Sequence, residues 1–143
     1  MIILGVDLGH ARTGLAVCDK GELLASPLKV IAQRDPERLM EEVAAAAKEA
    51  GAELLAVGLP RNMDGTEGDS ARFAREMGER LGALSGLPVE FVDERGTTIT
   101  AHGYLNDTNT RGKKRKAVVD AVAAVIILED FLRRRRNLSS PGE

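Results

Sequence analysis

Cysteine is nearly absent from this sequence of 143 residues, and its scarcity excludes two kinds of site. The single thiol, Cys18, can form neither an internal disulfide nor a zinc site built from several thiolates. Because Cys18 stands in an apolar run, we interpret it as a small core residue and not as a nucleophile. A chain without disulfides fits a reducing compartment, so we expect a cytoplasmic location.

Long hydrophobic runs are also lacking. No apolar stretch approaches the roughly 20 residues needed to cross a bilayer. Residues 1–6 are too short for a signal peptide and lack its positively charged region. A composition of 43% hydrophobic and 29% charged residues is typical of a soluble globular protein. We expect one domain over residues 1–136 and a disordered tail over residues 137–143.

The net charge is only −2, but the charge is distributed unevenly. Residues 111–136 hold nine basic and three acidic side chains, so this segment is +6 and the remainder is −8. A basic block on an acidic body favours a surface for a polyanion, although a solvated tail would explain Arg133–Arg136 equally well. Aromatic residues make up 3%, with Tyr104 near the block. Backbone phosphate contacts are therefore expected to outweigh base stacking.

The segment Ile2–Cys18 predicts two strands joined by a tight turn around Gly9. Asp7 ends the first apolar run. A carboxylate there is costly unless a metal, a basic partner or backbone N–H groups compensate it. Asp7 is equally interpretable as an Asx-type cap of the turn. The residues alone leave both interpretations open.

The remaining patterns predict an α/β fold. Further strands are expected at Leu24–Ile31, Leu54–Leu59 and Val89–Val92. Helices are expected at residues 36–50, 69–85, 97–105 and 115–136, with a mobile loop at residues 106–114. The core order βββαβαβα gives a five-stranded mixed sheet, in which three antiparallel strands precede two parallel ones. With right-handed crossovers, this arrangement resembles the ribonuclease H-like fold.

Particular residues define the expected helices. Asp35 and Pro36 predict the start of the first helix, Gly51 its end, and Asp69 or Ser70 the cap of the second. Inward positions are expected in the second helix at Phe73, Met77, Leu81 and Leu84, and in the last helix at Val118, Val122, Val125, Ile126, Leu128, Phe131 and Leu132. Gly78 and Gly82 either weaken the second helix or allow close packing on the sheet.

Acidic residues stand at three element ends: Asp7, the pair Asp93 and Glu94, and Asp120 in the last helix. Ligands of parallel sheets bind outside the carboxyl ends of the strands. Alanines around Asp120 would allow that helix to pack closely. Converging carboxylates would need a cation to offset their repulsion, and hard oxygen ligands select Mg²⁺ or Mn²⁺. Two such ions would suit the cleavage of a phosphodiester bond. Three separate surface or capping acids are about as good an interpretation of the spacing.

Four stretches resemble the RuvX/YqgF family of Holliday junction resolvases, also proposed as nucleases for pre-16S rRNA. They are DLGHARTGLAVCD (7–19), VGLPRNMDGTEG (57–68), DERGTT (93–98) and KAVVDAVAAVIILEDFL (116–132), in family order across nearly the whole domain. The resemblance implies that Asp7, Glu94 and Asp120 are the catalytic, metal-holding acids, with Asp93 as a fourth candidate. Gly96 departs from the family pattern, which usually has a bulky apolar residue there.

The resemblance further implies a Mg²⁺- or Mn²⁺-dependent endonuclease that acts on structured nucleic acid. Its substrate is expected to be the 5′ end of pre-16S rRNA, Holliday junctions or both, and the protein to be a monomer or weak homodimer. The expected nucleic-acid contacts are Arg12, Arg61, Asn62, Arg95, Thr97, Thr98, Lys113, Lys114 and Lys116. Arg12 and Arg95 could instead neutralise Asp7 and Glu94. Asn62, Asp64, Gly65 and Thr66 could contact the nucleic acid, or Asp64–Gly65 could be only a turn. His10 is interpreted as an exposed turn residue.

Two other functions fit parts of the pattern. The D-x-G start at Asp7 also occurs in ATP-binding enzymes of the actin, Hsp70 and sugar-kinase type, but those enzymes close two such domains on the nucleotide and this length supplies one. A non-catalytic module that binds structured RNA in ribosome biogenesis is the main alternative. The presence of all three acids argues against that alternative.

Overall fold

The computed structural model of this protein describes residues 1–94 and 112–139, with only the backbone described at 112–120 and 138–139. The strands are β1 (Ile3–Asp7), β2 (Arg12–Cys18), β3 (Ala25–Ala32), β4 (Leu54–Leu59) and β5 (Val89–Asp93). The helices are α1 (Pro36–Ala50), α2 (Asp69–Ser85) and α3 (Gly112–Ser139). The predicted order βββαβαβα is confirmed.

The five strands form one mixed sheet in the order β3-β2-β1-β4-β5. β1 pairs antiparallel with β2 and β2 with β3, whereas β4 runs parallel to both β1 and β5. The predicted α/β class and sheet type are therefore confirmed. The strands that end at Asp7 and Asp93 are not neighbours, because β4 lies between them. β2 begins at Arg12, so only residues 8–11 form the predicted tight turn around Gly9.

The sheet is covered on both faces, and strand alternation assigns each residue to one of them. One face packs on α1 and α2 through Leu4, Val6, Leu55 and Val57. The other packs on α3 through Ile3, Leu54, Ala56 and Val92. Strands buried on both faces read as continuous apolar runs, which is why β1 and β4 show no alternation in the sequence.

Helix α1 begins and ends where the sequence predicts. The Asp35 carboxylate accepts a hydrogen bond of 3.0 Å from the N–H of Glu37, Pro36 is the first helical residue, and Gly51 closes the helix with φ of 73°. In α2 the predicted cap was wrong, since Gly68 is the N-cap and makes no side-chain capping bond. The inward assignment of Leu84 was also wrong, because 54% of it is exposed.

Helix α3 is longer than predicted at both ends. Gly112–Lys114, expected in a loop, are helical, and the helix reaches Ser139, three residues into the expected tail. Among the α3 side chains that the structure describes, the buried ones are Ala123, Ala124, Ile127, Leu128, Phe131 and Leu132. Val125 is half-buried and packs against the core, as predicted, whereas the inward assignment of Val122 and Ile126, which are only half-buried, was wrong. The helix sits so close to the sheet that alanines form part of its contact face. No described helix is both long and apolar enough to cross a membrane.

One ion pair fixes the C-terminal end of α3 against the β2–β3 turn. The Arg135 guanidinium donates to both Glu22 carboxylate oxygens, at 2.7 and 3.2 Å. The hydrogen bond from Arg135 is the largest influence that lowers the pKa of Glu22, to about 2. Leu128 and Ala124 lie on Gly5 in the middle of β1. Because the β2–β3 turn adjoins the start of β1, α3 runs antiparallel to β1.

The expected helix at residues 97–105 lies outside the described residues. The same is true of residues 106–111 of the expected mobile loop.

We expect Gly78→Ala to destabilise the protein although alanine favours helices. A Cβ at position 78 would lie 2.7 Å from Cε1 and 2.9 Å from Cζ of Phe91, closer than real Cβ contacts allow. The clash should outweigh the helix-propensity gain of about 1 kcal/mol and leave a net loss of about 1–2 kcal/mol. Urea denaturation measures the change. Phe91→Leu in the same chain should relieve the clash, and a more stable Gly78→Ala single variant would contradict the close-packing interpretation.

Candidate active site

Acidic residues meet at the edge of the sheet where the parallel strands end. Asp7 ends β1 and Asp93 ends β5. Glu94 follows, and its N–H donates to the carbonyl of Leu59 over 3.1 Å, which holds its backbone against the end of β4. Since β1, β4 and β5 run in one direction, their carboxyl ends share this edge. The structure thus brings the first two predicted acid positions to one place.

Strand alternation separates the two consecutive acids Asp93 and Glu94. Along β5, Phe91 packs towards α2 and Val92 towards α3. Asp93 therefore lies on the α2 face and Glu94 on the α3 face. Along β1, Ile3 and Gly5 contact the α3 side, so Asp7 lies on that face as well. Glu94 and Asp7 consequently share a face, and Asp93 does not.

Gly58 provides the space through which Glu94 extends. A Cβ on this β4 residue would lie 2.9 Å from Oε2 of Glu94 and 2.4 Å from Cδ1 of Ile127. The carboxylate of Glu94 therefore rests over the strand that separates β5 from β1, under helix α3. Any larger residue at position 58 would displace either the carboxylate or the helix. β4, which the sequence did not implicate, is what allows the acids of two non-adjacent strands to approach.

The electrostatics of this edge disfavour an ionised Glu94. Only 9% of the residue is exposed. Burial, followed by the negative charges of Asp7 and Asp93, raises the pKa of Glu94 to about 8. A nearby cation would reverse this effect, and hard carboxylate oxygens are the ligands that Mg²⁺ and Mn²⁺ prefer. The donor set therefore fits such an ion. Among the side chains that the structure describes, no group of three or more potential metal ligands occurs, and the side chain of Asp120 is not one of those described.

The backbone places position 120 near the same edge. α3 runs antiparallel to β1, with Ala124 and Leu128 over Gly5. Two residues along β1 from Gly5 to Asp7 cover about 6.6 Å, and four residues along α3 from Ala124 to Asp120 cover about 6 Å in the same direction. Helical periodicity also places position 120 on the helix face that holds Ala124 and Ile127.

The predicted basic residue Arg61 is engaged by acids on the α2 face. Its Nη2 lies 3.2 Å from Oε2 of Glu67 and its Nη1 lies 3.9 Å from Oδ2 of Asp93. Glu67 in turn accepts two hydrogen bonds of 2.7 Å from Arg75. Neither Glu67 nor Arg75 is among the site residues that the sequence predicts. Their separation of eight residues, from a loop into a helix, corresponds to no spacing that predicts contact.

The other predicted contacts in the first half of the chain have structural partners. Asn62 is part of a hydrogen-bonded turn, in which its Nδ2 donates to Oγ1 of Thr66 over 2.9 Å. Thr66 also donates to the Asp64 carboxylate, so the segment forms a turn, one of its two expected interpretations. Arg12 is half-buried at the start of β2, beside the edge that carries Asp7. His10 is exposed, and its ring centroid lies 4.1 Å from that of Phe73.

The remaining predicted contacts are described only in part. Arg95, Thr97 and Thr98 lie outside the described residues, as does Gly96. Lys113, Lys114 and Lys116 belong to the first two turns of α3. Because the N-terminus of α3 points towards the carboxyl ends of the parallel strands, these three helical positions lie past the acidic edge, about 6 to 10 Å beyond position 120.

Similar solved structures identify the fold of this chain, and similar curated sequences identify its family. RuvC of Thermus thermophilus in complex with a Holliday junction substrate superimposes with a TM-score of 0.61 at 17% identity, over 96% of both chains. The Fowlpox virus resolvase with its Holliday junction DNA gives 0.55 at 13%, over 94% of this chain and 99% of that one. At these identities the likeness defines the fold, which is ribonuclease H-like as in these resolvases.

The family follows from sequence. The model described as "RuvX: Holliday junction resolvase" matches residues 1–134, and the chain belongs to this family. A relative from Anaeromyxobacter sp. (strain Fw109-5), named "Putative pre-16S rRNA nuclease", is 42% identical over 132 residues, covering 92% of this chain and 96% of the relative. One with the same name from Clostridium botulinum (strain Eklund 17B / Type B) is 40% identical, covering 94% and 98%. The expected family is confirmed, and with it the enzyme class, nuclease.

We expect the stability of the metal-free protein to fall as the pH rises, with Glu94 as the cause. The pKa of Glu94 is about 8 in the folded protein against an ordinary value of 4.5, so the folded state binds more protons between these values. The unfolding free energy should decrease across this range and level off above it, by on the order of a few kcal/mol. Urea denaturation in EDTA at several pH values measures the slope.

Glu94→Gln is uncharged at every pH and should remove most of this slope. Glu90→Gln, at an exposed position of the same strand, is the matched control and should keep the wild-type slope. A wild-type protein whose stability rises with pH over this interval would contradict the assignment of a buried carboxyl beside Asp7.

Proposed function

We propose that this protein is a divalent-metal-dependent endonuclease that hydrolyses phosphodiester bonds in structured nucleic acid. The observation that carries the proposal is the buried carboxylate of Glu94, which crosses β4 over Gly58 on the face that holds Asp7. Burying like charges side by side raises the free energy of the folded state unless a cation compensates them. Holding a metal ion would explain why these two acids lie close together, whereas capping a turn would not.

In this proposal Asp7, Glu94 and Asp120 hold one or two Mg²⁺ or Mn²⁺ ions. Such ions, when bound, activate a water and stabilise the leaving oxygen of the phosphodiester. The chain contributes the negative charge that binds them and the cover that α3 places over Glu94, which keeps bulk water from its carboxylate. Asp93 faces the opposite side of the sheet, so we assign it no metal-ligand role.

The N-terminal end of α3 is proposed as a nucleic-acid contact. Lys113, Lys114 and Lys116 are helical positions just past the edge that carries the acids. A row of cations beside the carboxylates would hold the phosphate backbone on either side of the bond to be cut, and would partly offset the repulsion between the acids and the polyanion. Arg12, Arg95, Thr97 and Thr98 remain proposed contacts on the same edge.

Two substrates are proposed, namely the 5′ end of pre-16S rRNA and the Holliday junction. The curated relatives are named for the first and the family model for the second. Symmetric resolution of a four-way junction takes two cuts and hence a two-fold dimer, whereas trimming an RNA end takes one. We propose a monomer or weak homodimer, which suits the RNA substrate better. Cleavage of a four-way DNA junction and of a 5′-extended 16S precursor, with matched Mg²⁺ and Mn²⁺, separates the two substrates.

Removing one charge from any metal-holding acid should abolish most cleavage. For Asp7→Asn, Glu94→Gln and Asp120→Asn we expect a loss of at least about 100-fold in rate, because metal-assisted catalysis depends on each ligand. The melting temperature in EDTA should be unchanged or slightly higher for each variant, because repulsion between carboxylates is relieved.

Asp93→Asn is the matched control, since it removes a charge from the other face of the same strand end and should cost at most about tenfold in rate, well short of the loss expected for a metal-holding acid. If Asp7 were only a cap, Asp7→Asn would be nearly silent, since asparagine caps turns almost as well. Full activity in all three acid variants would end the nuclease proposal and leave a non-catalytic RNA-binding module in ribosome biogenesis.

Nucleic-acid affinity should fall steeply with salt because counterions are released from the phosphates. Replacing Lys113, Lys114 and Lys116 together by glutamate should weaken binding to unrelated sequences alike and reduce the slope of log affinity against log salt by about 2–3. Fluorescence anisotropy at several salt concentrations in EDTA measures both. Lys48→Glu, in the last turn of α1, is the control. A loss confined to one base sequence would contradict a phosphate-contact role.

A further inference from the structure

One arginine links the loop after β4 to the end of β5 from behind the candidate site. Arg61, two residues after β4, stands within ion-pair distance of both Glu67 in the loop and Asp93 in β5, at 3.2 and 3.9 Å. A single guanidinium is thereby shared by two carboxylates from different segments. The planar, multidentate form of this group suits such bridging better than an ammonium does.

The bridge is anchored to helix α2. Arg75 donates from Nε and Nη2 to the two carboxylate oxygens of Glu67, each over 2.7 Å, and this bonding lowers the pKa of Glu67. The Arg75 guanidinium also lies 5.4 Å from the ring centroid of Phe91 in β5. A continuous set of contacts therefore runs from α2 through Glu67 and Arg61 to Asp93.

The Arg61 side chain is 32% exposed, but its guanidinium lies against the Glu67 and Asp93 carboxylates. Its Nε is buried and, among the residues that the structure describes, has no hydrogen-bond partner. A buried donor without a partner reduces stability. Both facts favour a guanidinium whose role depends on its fixed position between the loop and the sheet.

We propose that Arg61 is a positioning residue for Glu94 that acts through Asp93. The two acids are consecutive and project to opposite faces of the sheet, so fixing Asp93 at the back fixes the backbone from which Glu94 extends across Gly58. This inference rests on the proposed function, in which Glu94 holds metal. It replaces the expectation that Arg61 chiefly contacts nucleic acid.

The first test uses Arg61→Gln and Arg61→Lys. Without a shared cation, Glu67 and Asp93 repel each other and the support behind Glu94 loosens. For Arg61→Gln we expect kcat to fall about tenfold with KM and the salt slope of binding unchanged, and Mn²⁺ affinity, measured by electron paramagnetic resonance without nucleic acid, to fall several-fold. Arg61→Lys keeps the charge and should recover part of both losses. If Arg61→Gln does not fold, the lysine variant supplies the same comparison with the wild type.

Arg72→Gln is the matched control, because Arg72 pairs with Asp69 on the exposed surface of α2. This change should alter neither Mn²⁺ affinity nor kcat. A raised KM for Arg61→Gln, with a salt slope reduced by about one and unchanged Mn²⁺ affinity, would identify Arg61 as a phosphate ligand and overturn the inference.

A double-variant cycle tests whether Arg61 acts through Asp93. In an Asp93→Asn background, Arg61→Gln should cost much less in Mn²⁺ affinity and kcat than it does in the wild type. Additive losses would overturn the inference. If the wild type binds no Mn²⁺ and cuts neither substrate, the proposed function fails and this inference fails with it. If the wild type does both and only KM responds to Arg61→Gln, this inference alone fails.

Discussion

The arrangement of this protein depends on the unfavourable free energy of a buried carboxylate beside another acid. Glu94 is held under α3 near Asp7, where burial and like charge raise its pKa to about 8. Reaching that place requires a glycine in the intervening strand and a helix that packs closely on the sheet. A Cβ at Gly5 would lie 2.9 Å from Cβ of Leu128, and one at Gly58 would lie 2.4 Å from Cδ1 of Ile127, both in α3. Small residues are therefore needed on this face both for α3 to pack on the sheet and for Glu94 to reach its place near Asp7.

Features with local causes were predictable from the sequence. The bounds of α1 follow from a capping carboxylate, a proline at the first turn and a glycine at the end, all within a few residues of the places they define. The bounds of β4 follow from an apolar run between a helix and a proline. The order of elements then restricts the sheet to few topologies, since crossovers are right-handed. The gathering of Asp7 and Glu94 at one edge followed from that topology.

Features that depend on distant residues were not predictable. Choosing between Asp93 and Glu94 as the acid beside Asp7 requires knowing which helix covers each face of β5. Only the packing of Phe91 and Val92 shows this. The half-buried state of Val122 and Ile126 depends on how α3 is rotated on the sheet. The bonding of Glu67 to Arg75 depends on the path of a loop. Periodicity does not encode any of these relations.

The packing of α3 along β1 determines when, during synthesis, one face of the sheet becomes covered. The strands that form the acidic edge precede α3 in the chain, but the cover over one face of the sheet comes from α3. A nascent chain that lacks α3 exposes Ile3, Ala56 and Val92 to water and leaves Glu94 free to hydrate. The acidic edge thus acquires its dry surroundings, which disfavour an ionised Glu94, only after translation has reached α3.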